Sequence, residues 1–192
     1  RKIASHYGID GGKATRVGIQ EMLMEKKGAK DLYAFADELY SIARGDGAKR
    51  PAHVWLYAPG ENACMWEECR ESGKMRLGWD EIGDLSDFGS REEITRALQQ
   101  ENDNPASPYT NDSLALWQFA HEMEAGDTVY AKKGVSKIIA RGTVKGDYFY
   151  DESLPTFRHC RKIEWTHIGE WAYQAGNLVQ KTLTDITKYN DL

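Results

Sequence analysis

The apolar positions after residue 50 follow two different periods, one typical of strands and one typical of helices. Residues 54–58 form an apolar run that a Pro-Gly pair ends, which predicts a first strand. Met75, Leu77 and Trp79 alternate with polar residues and predict a second short strand with one face in the core. A helix is expected between the two strands, because Gly73 suits the position just past a helix end.

Capping signals and helical spacing predict helices on either side of a polar loop at residues 102–111. Asn62 is a candidate N-cap for the helix that runs to Ser72, and Ser90 with Glu93 fits a capping box for the next helix. A third helix follows the loop. Its apolar residues share one face, which we expect to be buried: Leu116, Phe119, Ala120 and Met123.

A hairpin is predicted for residues 127–151, with two strands joined by a short basic turn at residues 132–137. Gly134 gives that turn the backbone freedom it needs. The second strand runs into three consecutive aromatic residues, and one more strand follows. The positions expected on the core face of these last two strands are Ile138, Ala140, Gly142, Val144, Phe157, Ile163 and Trp165.

The order of elements predicts a mixed α/β domain over residues 53–173, in which a small curled sheet is flanked by helices. Residues 1–50 carry apolar residues at helical spacing and predict a separate N-terminal helical segment. Residues 174–192 are mostly polar, and we expect them to form a linker that leads away from the domain.

The net charge of −5 argues against a protein that coats nucleic acid indiscriminately, but the charges are unevenly distributed. Residues 131–165 contain eight Lys or Arg against four Asp or Glu, whereas residues 61–104 contain five against twelve. One end of the domain is therefore a candidate surface for phosphate groups.

Composition also bears on the compartment. A charged fraction of 29% and the lack of an apolar run of membrane length are typical of a soluble protein. No signal-peptide pattern opens the sequence. Cys64, Cys69 and Cys160 form neither an even set nor a C-x-x-C pair, which fits a reducing compartment. We expect a cytoplasmic protein that does not contact membranes.

Cations and aromatic rings occur together around the predicted hairpin. This combination suits a nucleic-acid surface, because phosphates attract positive charge and bases stack on flat rings. An ordinary amphipathic hairpin with a solvated turn explains the same residues and stays open as an alternative. The candidate contacts to the nucleic-acid backbone are Lys132, Lys133, Ser136, Lys137, Arg141, Arg158 and Arg161.

Residue types that carry out catalysis are present, but their spacings match no familiar catalytic motif. Five histidines are scattered along the chain, outside any nucleophile-elbow or H-E-x-x-H pattern. Cys64, Cys69, His159 and Cys160 lack the usual spacing of metal ligands. We therefore expect a binding domain that is not an enzyme, with no catalytic residue, metal or cofactor.

Five phrases occur in a fixed order along residues 53–189 and carry a family resemblance. They are WLYAPGENACMWEE (55–68), MRLGWDEIGDLSDF (75–88), LWQFAHEMEAGDTVYAKKGVSKIIARGTVKGDYFYD (116–151), RHCRKIEW (158–165) and QKTLTDITKY (180–189). Together they resemble the EVE domain of the PUA-like superfamily, a relative of the YTH domain. In particular they resemble the version at the N-terminus of McrB-like modification-dependent restriction GTPases, and the fifth phrase looks like the junction into the GTPase module.

The resemblance implies a pseudo-barrel fold and a reader of modified bases rather than a catalyst. Proteins of this group bind nucleic acid and take one base, often methylated, into a pocket walled by aromatic rings. By position, Trp79 corresponds to one wall, and residues 148–150 are expected to supply the second. Asp80 is a candidate reader of a donor edge of the base, or it simply caps the following turn. The base-binding candidates are Tyr57, Ala58, Pro59, Trp79, Asp80, Tyr148, Phe149 and Tyr150.

The resemblance also implies partners. The expected ligand is modified DNA, with methylated DNA as the leading case, and the domain is then the specificity module of a restriction system. A McrC-like nuclease would act through a GTPase module outside this sequence. Because PUA-like and YTH relatives also bind RNA, a module that recognises a modified RNA base is the alternative.

Overall fold

Six strands form one mixed sheet in the computed structural model, which describes residues 51–174 and 176–189. The strands are β1 (Val54–Tyr57), β2 (Lys74–Leu77), β3 (Thr128–Lys133), β4 (Lys137–Tyr150), β5 (His159–Ala172) and β6 (Leu183–Asp185). Their order across the sheet is β2-β5-β4-β3-β1-β6. β1 and β3 run parallel, whereas the other neighbouring pairs are antiparallel. The carboxyl ends of β1 and β3 therefore meet at the same edge of the sheet.

Three α-helices accompany the sheet within the described residues: α1 (Trp66–Ser72), α2 (Arg91–Glu101) and α3 (Thr110–Trp117), which continues in a π turn (Gln118–Glu122). The predicted end of α1 at Gly73 is confirmed, with φ of 61°. The Ser90 hydroxyl accepts a hydrogen bond from the Glu93 N–H as predicted, and the Glu93 carboxylate accepts from the Gly89 N–H. Asn62 does not cap α1, because it lies in a preceding 3-10 turn with φ of 51°.

Curling of the sheet brings β1 against β2, although β5, β4 and β3 separate them in the strand order. The Tyr57 hydroxyl accepts a hydrogen bond from the Arg76 N–H at 3.0 Å and donates one to the Arg76 carbonyl at 2.7 Å. Tyr57 is fully buried. A single side chain thus bridges two distant strands and helps to hold the sheet in its half-barrel form.

The core fills the concave side of the curled sheet with side chains from both strands and helices. The predicted mixed α/β architecture with a curled sheet is confirmed. No helix in residues 51–174 and 176–189 is long and apolar enough to cross a membrane. The largest apolar side chains of this core are Trp55, Met75, Leu77, Leu85, Ile94, Leu98, Leu116, Phe119 and Met123.

The predicted core face of β4 is right at the centre of the strand and wrong at its start. Ala140 and Val144 are buried as expected, but Ile139 is buried where Ile138 was expected to be. In the pairing with β3, the register shifts between Ala131 and Lys132, so that Ile139 is an extra residue on β4 and the parity reverses there. Phe157 precedes β5 and has φ of 56°, so it is not a strand residue at all.

The segment predicted to be a linker belongs to the sheet. β6 pairs antiparallel with β1, and its Leu183 is buried in the core. The domain therefore extends beyond the predicted boundary at residue 173. The predicted helical segment at residues 1–50 lies outside the described residues.

Candidate functional site

An open pocket of about 490 Å³ lies at the edge where β1, β2 and β3 end. Parallel alignment of β1 with β3 and the curl of the sheet bring these three strand ends together. The segment before β6 completes the wall, held to the β1 end by the hydrogen bond from the Ala58 N–H to the Thr182 carbonyl. The lining residues are Ala58, Gly60, Glu61, Asn62, Gly78, Trp79, Lys132, Gly134, Val135, Phe157, Gln180, Lys181 and Thr182.

Trp79 forms one aromatic wall of the pocket. It follows the end of β2 and has φ of 66° and ψ of 36°, a left-handed conformation that is rare for a bulky residue. Strict strand parity would send its side chain into the core beside Leu77. The left-handed turn instead redirects the chain, so that Trp79 lines the pocket while it still packs partly on the core. Strained backbone of this kind costs roughly 1–3 kcal/mol and is concentrated at functional sites.

Phe157 forms a second aromatic wall, and it also has a left-handed backbone. Its ring lies against Gly78, where an added Cβ would stand 3.8 Å from the ring. Sequence reasoning missed Phe157 as a site residue because alternation assigned it to a strand. The preceding Pro155 was the available sign that residue 157 follows a turn rather than a regular strand.

Two polar side chains, partly buried Asp80 and buried Arg76, fix the loop that carries Phe157. The Asp80 carboxylate accepts hydrogen bonds from the Phe157 N–H at 2.8 Å and the Arg158 N–H at 2.7 Å. The Arg76 guanidinium, only 4% exposed, donates to the Phe157 carbonyl at 3.0 Å and also to the Thr156 carbonyl. Asp80 is therefore occupied by protein backbone, and its predicted role as a reader of a base edge is corrected to that of a support.

A second set of hydrogen bonds holds the backbone of Trp79 in place. His159 is fully buried, and its Nε2 lies 3.3 Å from the Trp79 carbonyl, which can only accept. Nε2 must then carry the hydrogen, so Nδ1 accepts from the Tyr148 hydroxyl at 2.9 Å. The same hydroxyl accepts from the Leu85 N–H at 3.0 Å. This arrangement uses neutral His159, and burial favours that form because it lowers the pKa of the imidazole.

The three rings expected to supply the second wall lie elsewhere. The Tyr148 hydroxyl is engaged by His159, and Phe149 lies under the ammonium of Lys74, whose Nζ is 5.5 Å from the ring centre. The Tyr150 hydroxyl donates to the Asp80 carbonyl at 3.3 Å. None of these rings lines the pocket. Tyr148 and Tyr150 instead support pocket residues through His159 and Asp80.

Residues 57–59, at the end of β1, were expected to contact the edge of the bound base, but only part of this segment lines the pocket. Ala58 lines it. Tyr57 does not, because it is fully buried and its hydroxyl bonds the backbone of Arg76. Pro59 is likewise buried outside the lining.

Lys132 also departs from its predicted place on the surface. It is 5% exposed and lines the pocket, and its Nζ lies 3.3 Å from the Gly134 carbonyl. Desolvation by burial lowers the pKa of its ammonium group. A side chain with so little exposure is poorly placed to reach the phosphates of a duplex outside the pocket.

Other predicted backbone contacts divide into exposed and buried groups. Lys133 and Ser136 are exposed on the β3–β4 turn, and Lys137 pairs at the surface with Glu170 at 2.5 Å. Arg141 is partly exposed, as is Arg158, whose Nε donates to the Leu154 carbonyl at 2.9 Å.

Arg161 is a clear correction among the predicted phosphate contacts. It is 3% exposed, and its guanidinium donates to the carbonyls of Phe119, Ala120 and Gly146. Those bonds join β5 to the π turn after α3 and to β4. The charge of Arg161 therefore stabilises the interior and does not face a ligand.

The fold and the site together define a mixed α/β domain with an open pocket walled by two aromatic residues at one end of a curled sheet. The family model of a domain of unknown function, DUF8426, matches residues 55–190, and the chain belongs to that family. No curated protein matches the chain. Among residues 51–174 and 176–189, no group of three or more His, Cys, Asp or Glu is arranged to hold a metal ion.

Proposed function

We propose that this domain is a non-catalytic reader that takes one modified base of DNA into the pocket between Trp79 and Phe157. The observation that carries the proposal is the pair of aromatic walls at an open pocket, each on a left-handed backbone that a hydrogen bond to Asp80 or His159 supports. A volume of about 490 Å³ suits a small planar ligand such as a nucleobase. The resemblance to EVE and YTH domains supports the same reading.

Energetics favour such a pocket for an extruded base. Swinging a base out of a duplex costs a few kcal/mol, and stacking on aromatic side chains returns about 1–3 kcal/mol per base. Two walls therefore offset much of the cost of extrusion. A base that is already poorly stacked enters more readily, which favours modified or mismatched positions.

Recognition of a methyl group needs more than added apolar contact. Burying one methyl group stabilises a complex by about 0.8 kcal/mol, which is a factor of about four in affinity. A selective pocket must also disfavour the unmodified base, for example by leaving one of its N–H groups without an acceptor. We propose that the apolar surfaces of Trp79, Phe157 and Ala58 face the modified group of the base. There they leave an N–H of the unmodified base without an acceptor.

Charge on the β3–β4 turn supports the proposal that the duplex lies across this edge of the sheet. Exposed Lys133 stands beside the pocket residues Gly134 and Val135, and Arg141 lies farther along β4. These cations suit contacts to phosphates on either side of an extruded base. In a McrB-like restriction system, such a domain would supply specificity while a GTPase module and a McrC-like nuclease act on the DNA.

Binding to a matched set of ligands tests the proposal. The set is one duplex carrying 5-methylcytosine, 5-hydroxymethylcytosine, N6-methyladenine or no modification at a single position, with the corresponding RNA. We expect at least tenfold tighter binding to one modified duplex, and no cleavage when magnesium is added. Equal affinity for all duplexes contradicts the proposal, and a preference for modified RNA replaces DNA by RNA as the ligand.

A further inference from the structure

Lys132 supplies a cation inside the candidate pocket. It stands near the end of β3, one residue before the exposed Lys133. Glu61 and Lys181 also line the pocket, but both are exposed. Among the described residues, Lys132 is therefore the charged side chain that both lines the pocket and is at least nine-tenths buried.

The hydrogen-bonding capacity of Lys132 is only partly used. An ammonium group has three donors and no acceptor. In residues 51–174 and 176–189, its described partner is the Gly134 carbonyl at 3.3 Å, and no carboxylate forms an ion pair with it. Burial of a charged group is unfavourable unless its donors find partners. The remaining donors can serve a ligand in the pocket that accepts hydrogen bonds.

The position of Lys132 indicates which part of the DNA would accept its hydrogen bond. Lys132 shares the pocket with Trp79 and Phe157, and the turn residues Gly134 and Val135 lie over the same space. A phosphate of the duplex backbone stays outside an extruded base, where Lys133 and Arg141 are accessible. Lys132 instead lines the pocket that the base itself would occupy.

We propose that Lys132 is a specificity-determining residue that donates a hydrogen bond to the edge of the bound base, in a pocket whose ligand presents a carbonyl oxygen or an unprotonated ring nitrogen there. This inference rests on the proposed function and names the chemistry of its ligand. A base that presents an amino group at that point would place its N–H donor against the donor of Lys132, so it binds more weakly. Lys133 differs from Lys132 by contacting the phosphate backbone, which is common to all sequences.

The test compares two variants on two ligands. The variants are Lys132→Met, which keeps most of the length of the side chain without donors, and Lys133→Met as the matched surface control. The ligands are the duplex with the preferred modified base and the same duplex with an abasic site at that position. Affinities are measured by fluorescence anisotropy for the full chain, after thermal melts have shown that each variant folds.

We expect Lys132→Met to weaken binding to the modified duplex by about tenfold to a hundredfold, as for a lost hydrogen bond to a charged group. Its affinity for the abasic duplex should change by less than twofold. Lys133→Met should weaken both ligands alike and reduce the slope of log affinity against log salt by about one. Lys132→Gln, which keeps an amide donor, should retain part of the lost affinity.

Two results would overturn the role of Lys132 without contradicting the proposed function. Equal losses of Lys132→Met on both duplexes would make Lys132 a phosphate contact, and no loss on either would remove it from the interface. A wild-type protein that binds modified and abasic duplexes equally well would overturn the proposed function itself. The affinities of the wild-type protein therefore test base binding in the pocket, and those of Lys132→Met test the hydrogen bond from Lys132.

Discussion

The carboxylate of Asp80 accepts a hydrogen bond from the backbone N–H of Phe157 at 2.8 Å. Asp80 directly follows Trp79, and its other oxygen accepts from the N–H of Arg158 at 2.7 Å. One side chain thus ties the turn that carries the first wall of the pocket to the loop that carries the second. The separation of the two walls depends on this link.

Asp80→Ala is expected to weaken binding of the preferred modified duplex by about tenfold or more, because Phe157 loses its support. The free energy of unfolding should fall by about 1.5–3 kcal/mol, the range for a hydrogen bond to a charged group. Asp80→Asn should lie between the wild type and Asp80→Ala, since its amide retains one acceptor. Anisotropy titrations and urea unfolding measure the two quantities.

A matched control for this prediction is Asp87→Ala, at an exposed position in the neighbouring 3-10 turn. It removes the same charge and should change neither binding nor stability by more than about 0.5 kcal/mol. Full affinity in Asp80→Ala would show that Phe157 keeps its place without the carboxylate.

The aromatic walls themselves should each contribute to binding through stacking. Trp79→Leu and Phe157→Leu keep apolar bulk but remove the flat ring, and each should cost about 1–3 kcal/mol of binding free energy. Tyr189→Ala removes an exposed ring outside the pocket and serves as the control. Isothermal titration with the modified duplex measures the losses, and an unchanged affinity in both Leu variants would exclude stacking between these residues.

Stability should depend on pH through His159, because burial holds the pKa of its imidazole below the ordinary value of 6.5. Above that value the imidazole is neutral in both the folded and the unfolded chain. As the pH falls below it, the unfolded chain binds a proton that the folded chain does not, so the free energy of unfolding decreases. Nearby Asp80, Glu81 and Asp84 oppose this shift but do not reverse it.

The measurement is urea unfolding at a series of pH values between 7.5 and 5. His159→Gln should flatten the decrease in stability, whereas His167→Gln, at an exposed position, should leave it as in the wild type. Burial also lowers the pKa of His121, so some pH dependence should persist in His159→Gln. Stability that rises from pH 7 to pH 5 in the wild type would contradict the neutral state of His159.

Arg161 should matter for stability and not through direct contact with DNA. Arg161→Met leaves the carbonyls of Phe119, Ala120 and Gly146 without this donor, and the free energy of unfolding should fall by about 3 kcal/mol. Lys145→Met breaks the exposed pair with Glu164 at 2.6 Å and should cost less than about 1 kcal/mol. Chemical unfolding measures both. A loss below 1 kcal/mol in Arg161→Met would show that the buried contacts contribute little.

Periodicity was sufficient to predict most of the fold. The faces of α2, α3 and β2 follow directly from the spacing of Ile94, Leu98, Leu116, Met75 and Leu77, which are all buried. The bulge that buries Ile139 was not predictable, because an inserted residue is invisible to a parity rule. β6 was missed because three residues in a polar tail carry too weak a pattern.

The pocket was harder to predict than the core, for physical reasons that Phe157 and Lys132 make plain. Nothing in the local sequence requires a phenylalanine to adopt positive φ; distant Asp80 and Arg76 impose it through hydrogen bonds. Lys132 lines the pocket together with residues 180–182, which belong to a segment that was taken for a linker. Trp79 was expected at the pocket from the family resemblance, while strand parity alone pointed to the core.

The structure of the complex between this chain and its preferred modified duplex is the most direct measurement. We predict that the modified base lies outside the helix, stacked between the rings of Trp79 and Phe157, with its acceptor edge towards the Nζ of Lys132. A modified base that stays stacked in the duplex, with an empty pocket between those two rings, would contradict the proposed function.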